Sequence, residues 1–175
     1  MLWSRRIAVL ALPLVMAAGA ACASEAAWTQ VILVRHAEKV DASKDPDLSP
    51  AGERRARALA AAVRAAGVRT VYATQWKRTQ ETVAPLVAET GVPLVVVDAH
   101  DVAGLCQRIR TQHAGQVVLV AAHSNTLPEI VAGLGAPPIE PLGDDAYDNL
   151  YVVTLGAGGR ASVLRLKYVV PADAP

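Results

Sequence analysis

Short apolar runs alternate with longer segments of mixed polarity along this chain. The apolar runs cover residues 31–34, 68–73, 94–97 and 116–121 and are rich in Val, Leu, Ile and Ala. Continuous apolar runs of this length are typical of strands that are buried on both faces of a parallel sheet. Helical segments separate them, so we predict an α/β fold, a three-layer sandwich with a mostly parallel central sheet flanked by helices.

The predicted helices are recognised by their ends. Ser49 is a good N-cap and Pro50 suits the first helical position, which predicts a helix over residues 51–66 that ends at Gly67. Further helices are predicted over residues 76–90, 102–112 and 124–134, the last with Pro128 in its first turn, where proline is tolerated. Two alternating runs, residues 150–155 and 161–166, flank a glycine-rich segment and indicate a hairpin at the edge of the sheet.

Basic and imidazole side chains follow three of the predicted strands. Arg35 and His36 come directly after the first strand, Arg78 opens the helix after the second, and His123 follows the fourth. Open α/β folds bind ligands at the carboxyl ends of their strands. Helix N-termini and guanidinium groups both favour a tetrahedral oxyanion such as phosphate. The pattern therefore predicts that these groups converge on one anion-binding crevice.

The first 23 residues have the layout of a secretory signal peptide. Two arginines precede an apolar stretch that is shorter than the roughly 20 residues of a spanning helix, and an Ala-Cys-Ala site follows it. We therefore expect a periplasmic or secreted protein with no stable membrane insertion after cleavage, and a single domain over residues 24–175. Lipidation of Cys22 is the less favoured reading, because Gly19 stands where a leucine-like residue is usual.

Composition removes several functional classes. The net charge of +1 and the lack of a basic stripe with interleaved aromatic residues argue against nucleic acid as a partner. Cys106 is the one cysteine left after cleavage, so the sequence predicts neither an internal disulfide nor a paired-thiol metal site. A zinc hydrolase built from the four histidines is a poor second, because their spacing matches no metal motif, and the zinc deaminase signature lacks its P-C-x-x-C partner.

Three segments, taken together, resemble the histidine phosphatase superfamily, which has the phosphoglycerate mutase-like fold. They are L-V-R-H-A-E-K at residues 33–39, T-x-x-x-R-T-x-E-T at residues 74–82 and V-A-A-H-S-N at residues 120–125. The resemblance extends over about residues 31–155. Ala37 stands where the family more often has glycine, and Ala122 replaces the glycine that commonly precedes the second histidine. Neither change removes a reactive group.

The resemblance implies a phosphomonoesterase of the histidine acid phosphatase-like type that needs no metal or other cofactor. His36 would attack the phosphoryl group and form a phosphohistidine, while Arg35, Arg78 and His123 hold the non-bridging oxygens. Asn125 could add a hydrogen bond to substrate or cap a helix, and Lys39 could contact substrate or be solvated. The expected partner is a small phosphorylated substrate or a phosphoprotein, and the oligomeric state is left open.

The donor of a proton to the leaving group is the least defined part of the site. One branch of the family uses an aspartate directly after the second histidine, but Ser124 occupies that position. The other branch uses a carboxylate after the helix of the second arginine, which points to Asp98 or Asp101. Of the two we prefer Asp101, because it lies nearer the start of the following helix, although an ordinary N-cap is the favoured role for it. Glu38 and Asp148 are further candidates.

Two other functions share the same residues. A periplasmic binding protein could capture a phosphorylated ligand without turnover, but it would not need both histidines and both arginines. A mutase must keep its phosphoenzyme from water and usually has extra segments that cover the site. This chain is near the minimum length for the fold, and export does not suit a glycolytic enzyme. The sequence therefore favours an exported phosphatase.

Overall fold

Six strands form one sheet in the computed structural model of the protein, which describes residues 28–171. The predicted signal peptide and Cys22 lie outside the described residues. The strands are β1 (Thr29–Arg35), β2 (Val68–Thr74), β3 (Leu94–Val97), β4 (Val117–Ala122), β5 (Asn149–Leu155) and β6 (Ala161–Lys167). Their spatial order is β3-β2-β4-β1-β5-β6; the first four are parallel, and β5 is antiparallel to both β1 and β6.

Four helices of the described region connect the strands: α1 (Pro50–Val63), α2 (Lys77–Thr90), α3 (Val102–Gln112) and α4 (Thr126–Gly133). The bounds predicted for α3 are confirmed. Helix α1 ends three residues before the prediction. The backbone N–H of Ala66 donates to the carbonyl of Val63 at 2.9 Å and closes a turn, and Gly67 then adopts a φ of 71°. Helix α4 starts two residues late, since Ser124 and Asn125 form a turn. No helix of residues 28–171 is long and apolar enough to cross a bilayer.

The sheet separates two apolar cores, one on each face. Helices α1 and α2 cover one face, where Leu59 and Leu86 pack against β1, β2 and β4. Helices α3 and α4 cover the other face with residues such as Ile109 and Leu127. Alternate residues of the central strands point to opposite faces, so Ile32 joins the first core and Leu33 the second. The predicted three-layer α/β sandwich is confirmed.

The strand order brings the three polar strand ends together. Strand β4 lies between β2 and β1, and all three run parallel, so they end at the same edge of the sheet. Arg35 is paired with Ala122, and the backbone N–H of His36 donates to the carbonyl of Ala122 at 2.9 Å. The first imidazole is therefore fixed one strand away from the second.

The start of α1 is packed against the segment that follows His36. The backbone N–H of Ser49 donates to the carbonyl of Glu38 at 2.9 Å, and the Ser49 hydroxyl accepts from Gly52 N–H at 3.1 Å, which confirms the predicted N-cap. A Cβ atom at Gly52 would overlap the Glu38 carbonyl oxygen. Glycine at this position therefore allows the helix to approach the backbone beside His36.

We expect Gly52→Ala to destabilise the domain by about 1–3 kcal/mol, because the new methyl group meets backbone atoms that cannot rotate away. Helix propensity alone favours alanine over glycine by about 1 kcal/mol, so the sign of the change separates the two effects. Urea unfolding measures the free energy of unfolding. Ala61→Gly on the exposed side of α1 is the control for propensity, and a Gly52→Ala variant as stable as wild type would contradict this packing.

Candidate active site

His36 is buried at the end of β1 with one ring nitrogen held and the other free. Its Nδ1 lies 2.8 Å from the carbonyl oxygen of Ala37. A carbonyl carries no hydrogen, so Nδ1–H donates and the lone pair of the neutral ring is on Nε2. The backbone N–H of Ala37 donates to Thr82 Oγ1 at 2.9 Å, which holds the carbonyl in place. Nε2 is therefore the nucleophilic atom that this geometry presents.

The surroundings of His36 favour its neutral form. The pKa of its imidazole falls from 6.5 to about 4, mainly because burial disfavours the charged ring. The hydrogen bond to Ala37 opposes this effect, and the charges of Arg78 and Arg35 add to it. At neutral pH the ring keeps its lone pair, as a nucleophile must.

Arg35 is buried beside His36 and is held by carbonyl oxygens instead of carboxylates. Its Nη1 donates to the carbonyls of Gly143 at 2.9 Å and Asp144 at 2.8 Å. The Tyr147 ring lies 4.2 Å from its guanidinium carbon. Its Nε is buried and has no hydrogen-bond partner among the described residues. The guanidinium thus keeps its full charge and one unused donor, which suits an anionic ligand.

Arg78 opens α2 on the opposite side of the crevice. Its side chain is 15% exposed, and its Nη1 makes a long contact of 3.4 Å with the carbonyl of Lys44 and lies 3.9 Å from Asp45. Its Nε is also buried and unpartnered within residues 28–171. Two guanidinium groups with unused buried donors therefore border the same space.

His123 follows β4 and lies next to His36, with their ring centroids 5.4 Å apart. Its Nε2 is 3.0 Å from the hydroxyl of Thr74 at the end of β2. Burial is the main reason that its pKa drops from 6.5 to about 3, and the charge of Arg78 is the next largest cause. Both imidazoles of the pair are thus neutral at pH 7.

These side chains surround a cavity of about 310 Å³. Lys39 and Asn125, both expected from the sequence, also line it. Asn125 makes no capping hydrogen bond to α4, so the helix-cap alternative does not account for it. The described lining contains basic, imidazole, hydroxyl, amide, aromatic and apolar groups and no carboxylate: Arg35, His36, Lys39, Trp76, Arg78, Ala99, His100, His123, Ser124, Asn125 and Thr126.

The carboxylates expected as proton donors are engaged elsewhere. Asp101 is the N-cap of α3, where its side chain accepts from Gly104 N–H at 2.9 Å, and it does not line the cavity. This corrects the expectation for Asp101: a side chain one position before a helix bonds most readily to the free N–H groups of the first turn. The other three candidates each hold a partner: Asp98 accepts from His100 N–H at 2.8 Å, Glu38 pairs with Arg55 at 2.7 Å, and Asp148 pairs with Lys167 at 2.7 Å.

The structure does not bring the four histidines together. His113 lies outside the cavity lining, with Nε2 2.8 Å from the Tyr72 hydroxyl and Nδ1 2.9 Å from Gln116 Oε1. No group of three or more His, Cys, Asp or Glu side chains within residues 28–171 is arranged to hold a metal ion. Cys106 is free and buried in the α3–α4 core.

Several supporting residues were not singled out from the sequence. Thr82 holds the Ala37 N–H, and Glu81 accepts from Leu48 N–H at 2.8 Å; both belong to the T-x-x-x-R-T-x-E-T segment, so that segment was their signal. Tyr147 covers Arg35, and His100 lines the cavity from the loop after β3. No periodic pattern marks these two, because both lie in irregular segments.

Comparison with known proteins agrees with this geometry. Residues 31–100 match the family model of the histidine phosphatase superfamily (branch 1), a range that includes Arg35, His36 and Arg78 but not His123. A sequence comparison with curated proteins finds no match.

Solved structures share the fold at low sequence identity. A candidate phosphohistidine phosphatase, SixA from Nakamurella multipartitia, is 22% identical, with a TM-score of 0.62 over 83% of this chain and 99% of that one. A mycobacterial glucosyl-3-phosphoglycerate phosphatase is 13% identical, with a TM-score of 0.63 over 82% and 100%. A phosphoserine phosphatase from Entamoeba histolytica is 14% identical, with a TM-score of 0.59 over 80% and 96%. The chain is therefore similar to the histidine phosphatase superfamily over residues 31–100, and it shares the fold of these solved phosphatases over most of its length.

Proposed function

We propose that this protein is an exported, metal-independent phosphatase that hydrolyses phosphomonoesters through a phosphohistidine on His36. One observation carries the proposal: a neutral imidazole presents its Nε2 lone pair to a cavity bordered by two guanidinium groups with unused donors. Nucleophile and anion-binding groups are the two parts that phosphoryl transfer requires. Export is inferred from the sequence of residues 1–23 alone.

In the first step the lone pair of His36 Nε2 forms a bond to phosphorus, the bond from phosphorus to the leaving oxygen breaks, and the leaving oxygen takes a proton from solvent water. The Nδ1–H of His36 keeps its hydrogen bond to the Ala37 carbonyl oxygen. This bond stabilises the positive charge that develops on the ring. Arg35, Arg78 and His123 surround the transferring oxygens. In the second step water attacks phosphorus, the N–P bond breaks, and its electron pair returns to Nε2, so that free phosphate leaves and the enzyme is restored.

The lining of the cavity also favours a second class of substrate. An alkoxide leaving group needs a proton, and no carboxylate of the described lining can supply it. A phosphorylated imidazole can leave as neutral imidazole when its other nitrogen carries a proton, so it does not need an acid in the site. A phosphohistidine phosphatase is therefore the alternative, and the name of the Nakamurella structure is in line with it.

We expect wild-type protein to release free phosphate from a panel of alkyl phosphomonoesters and phosphohistidine peptides, with chelator present, and to form an acid-labile, alkali-stable phosphoprotein. His36→Ala should lose the label, since no other imidazole presents a free nitrogen in the same position, and should lower turnover by at least about 1,000-fold.

Release of phosphate by His36→Ala at the wild-type rate would contradict the proposal. A wild-type protein that binds phosphate but forms no label would be a binding protein. Interconversion of phosphoglycerates without free phosphate would identify a mutase instead. The relative rates on the two parts of the panel decide between phosphomonoesters and phosphohistidine.

The low pKa of His36 predicts an unusual acid limit. Since kcat/KM reports ionisations of the free enzyme, loss of activity through protonation of His36 should occur near pH 4 and not near pH 6.5. Above that limit the ring is neutral and the lone pair is available. The measurement is a pH profile of kcat/KM that is corrected for the ionisation of the substrate. Phosphorus NMR gives the ionisation of the substrate separately. An acid limb that remains near pH 6.5 would show that burial does not depress the pKa.

The position of Asp101 predicts that it is dispensable for chemistry. Asparagine caps helices as well as aspartate, so Asp101→Asn should keep α3 intact and leave kcat/KM within about threefold of wild type. Asp101→Ala serves as the comparison, because it removes the cap and should cost about 1 kcal/mol of stability without a specific effect on turnover. A drop of 100-fold or more in Asp101→Asn with an unchanged melting temperature would restore Asp101 as the acid.

A further inference from the structure

Three short contacts determine which nitrogen of His123 carries the proton. The Thr79 hydroxyl lies 2.8 Å from the Trp76 carbonyl oxygen and 3.1 Å from the Thr74 carbonyl oxygen, and only the hydroxyl can supply a hydrogen to either contact. Its single hydrogen is thereby used, so the 2.9 Å contact between the hydroxyls of Thr74 and Thr79 requires the hydrogen of Thr74. Thr74 then has none left, and its 3.0 Å contact with His123 Nε2 requires a ring N–H.

The neutral ring of His123 therefore carries its proton on Nε2, directed at the Thr74 hydroxyl. Its Nδ1 has a lone pair and no hydrogen-bond partner within the described residues. A lone pair repels a phosphoryl oxygen, so the neutral ring cannot donate a hydrogen bond to the substrate. This tautomer is the reverse of that of His36, where Nδ1 carries the proton.

We propose that Thr74 and Thr79 are positioning residues that keep the proton of His123 on Nε2, so that Nδ1 takes up one proton when a tetrahedral oxyanion binds. The proton comes from the solvent or from a monoanionic phosphate, and it forms an N–H bond with the Nδ1 lone pair. That N–H then donates to an oxygen of the anion, and the imidazolium charge is balanced by the anion. The proton uptake rests on the anion site of the proposed function, whereas the assignment of the Nε2–H tautomer of His123 does not.

The charged groups around His123 explain why the proton arrives only with the ligand. Arg78 on α2, Arg35 at the end of β1, His36 after β1 and His100 in the loop after β3 all disfavour a cationic ring. No carboxylate is among the described groups of the cavity lining. A bound dianion introduces the negative charge that the free site lacks, and this favours the imidazolium.

The first test reads the tautomer in the unliganded protein at pH 7.5, from nitrogen chemical shifts of the histidine rings. Wild type should show Nε2–H for His123. Thr74→Val removes the acceptor of that N–H, and Thr79→Val frees the Thr74 hydroxyl to donate to Nε2, so both should shift the proton toward Nδ1. Thr74→Ser and Thr79→Ser keep the hydroxyls and should resemble wild type. An Nδ1–H tautomer in wild type, or no shift in either valine variant, would overturn the proposal.

The second test measures proton uptake with sulfate, a tetrahedral dianion that does not titrate near neutral pH. Calorimetry in buffers of different ionisation enthalpy is done on His36→Ala, so that the other buried imidazole makes no contribution. We expect about one proton taken up per sulfate and a dissociation constant that rises about tenfold per pH unit. His36→Ala/Thr74→Val should take up almost none, because its neutral ring can carry Nδ1–H, and His36→Ala/Thr74→Ser should behave as the parent.

Sulfate binding to His36→Ala without proton uptake, or no sulfate binding, would overturn the proposal that His123 takes up a proton with the anion. The proposed function fails by a different measurement, namely a wild-type protein that releases no phosphate and forms no phosphohistidine. Melting temperatures of the valine variants within a few degrees of wild type exclude a general structural defect.

Discussion

Unneutralised positive charge at the carboxyl edge of the sheet is the constraint on which the site depends. Arg35 is held by two backbone carbonyls and Arg78 by a distant carbonyl and a carboxylate at 3.9 Å, so neither guanidinium is in a tight ion pair. A close carboxylate would fill the donors that an anion needs and would raise the pKa values of both imidazoles. Carbonyl oxygens orient a cation without cancelling its charge. Burial is the main cause of the neutral state of His36, and the same unpaired guanidinium charges that suit an oxyanion add to it.

The segment from Thr74 to Thr82 connects this charge to the rest of the fold. Thr82 binds the backbone beside His36, Glu81 binds the loop that precedes α1, and Thr79 and Thr74 lead to His123. The end of β2 and the start of α2 therefore contact the His123 ring and the backbone next to His36, and they supply the second arginine. These bonds are made by side chains that are one to eight residues apart in sequence but reach three different segments of the chain. The spacing of these side chains has to be kept, because the turn between β2 and α2 determines where each of them lies.

The sequence predicted the parts of the molecule that are set by burial. The apolar runs of β1 to β4 and the N-cap at Ser49 determine strands and helices locally, and the parallel order then brings Arg35, His36 and His123 to one edge. Asp101 was misplaced because a residue before a helix can either cap it or reach a cavity, and local sequence does not distinguish the two. Tyr147 was missed because it lies in an irregular loop, where no period indicates which way a side chain points.

The unpartnered guanidinium atoms at this edge also make the domain less stable. A buried guanidinium N–H without a partner costs about 1–3 kcal/mol, and the Nε atoms of Arg35 and Arg78 are both in that state. Apolar residues at these positions would complete the packing on either side of β1 and β4, yet they would leave nothing to hold an oxyanion. Three buried side-chain polar atoms of the described residues have no partner: two are the guanidinium Nε atoms at this edge, and the third is the Tyr168 hydroxyl in the α1–α2 core. Such a concentration of violations is what distinguishes a binding site from a structural cluster of polar residues.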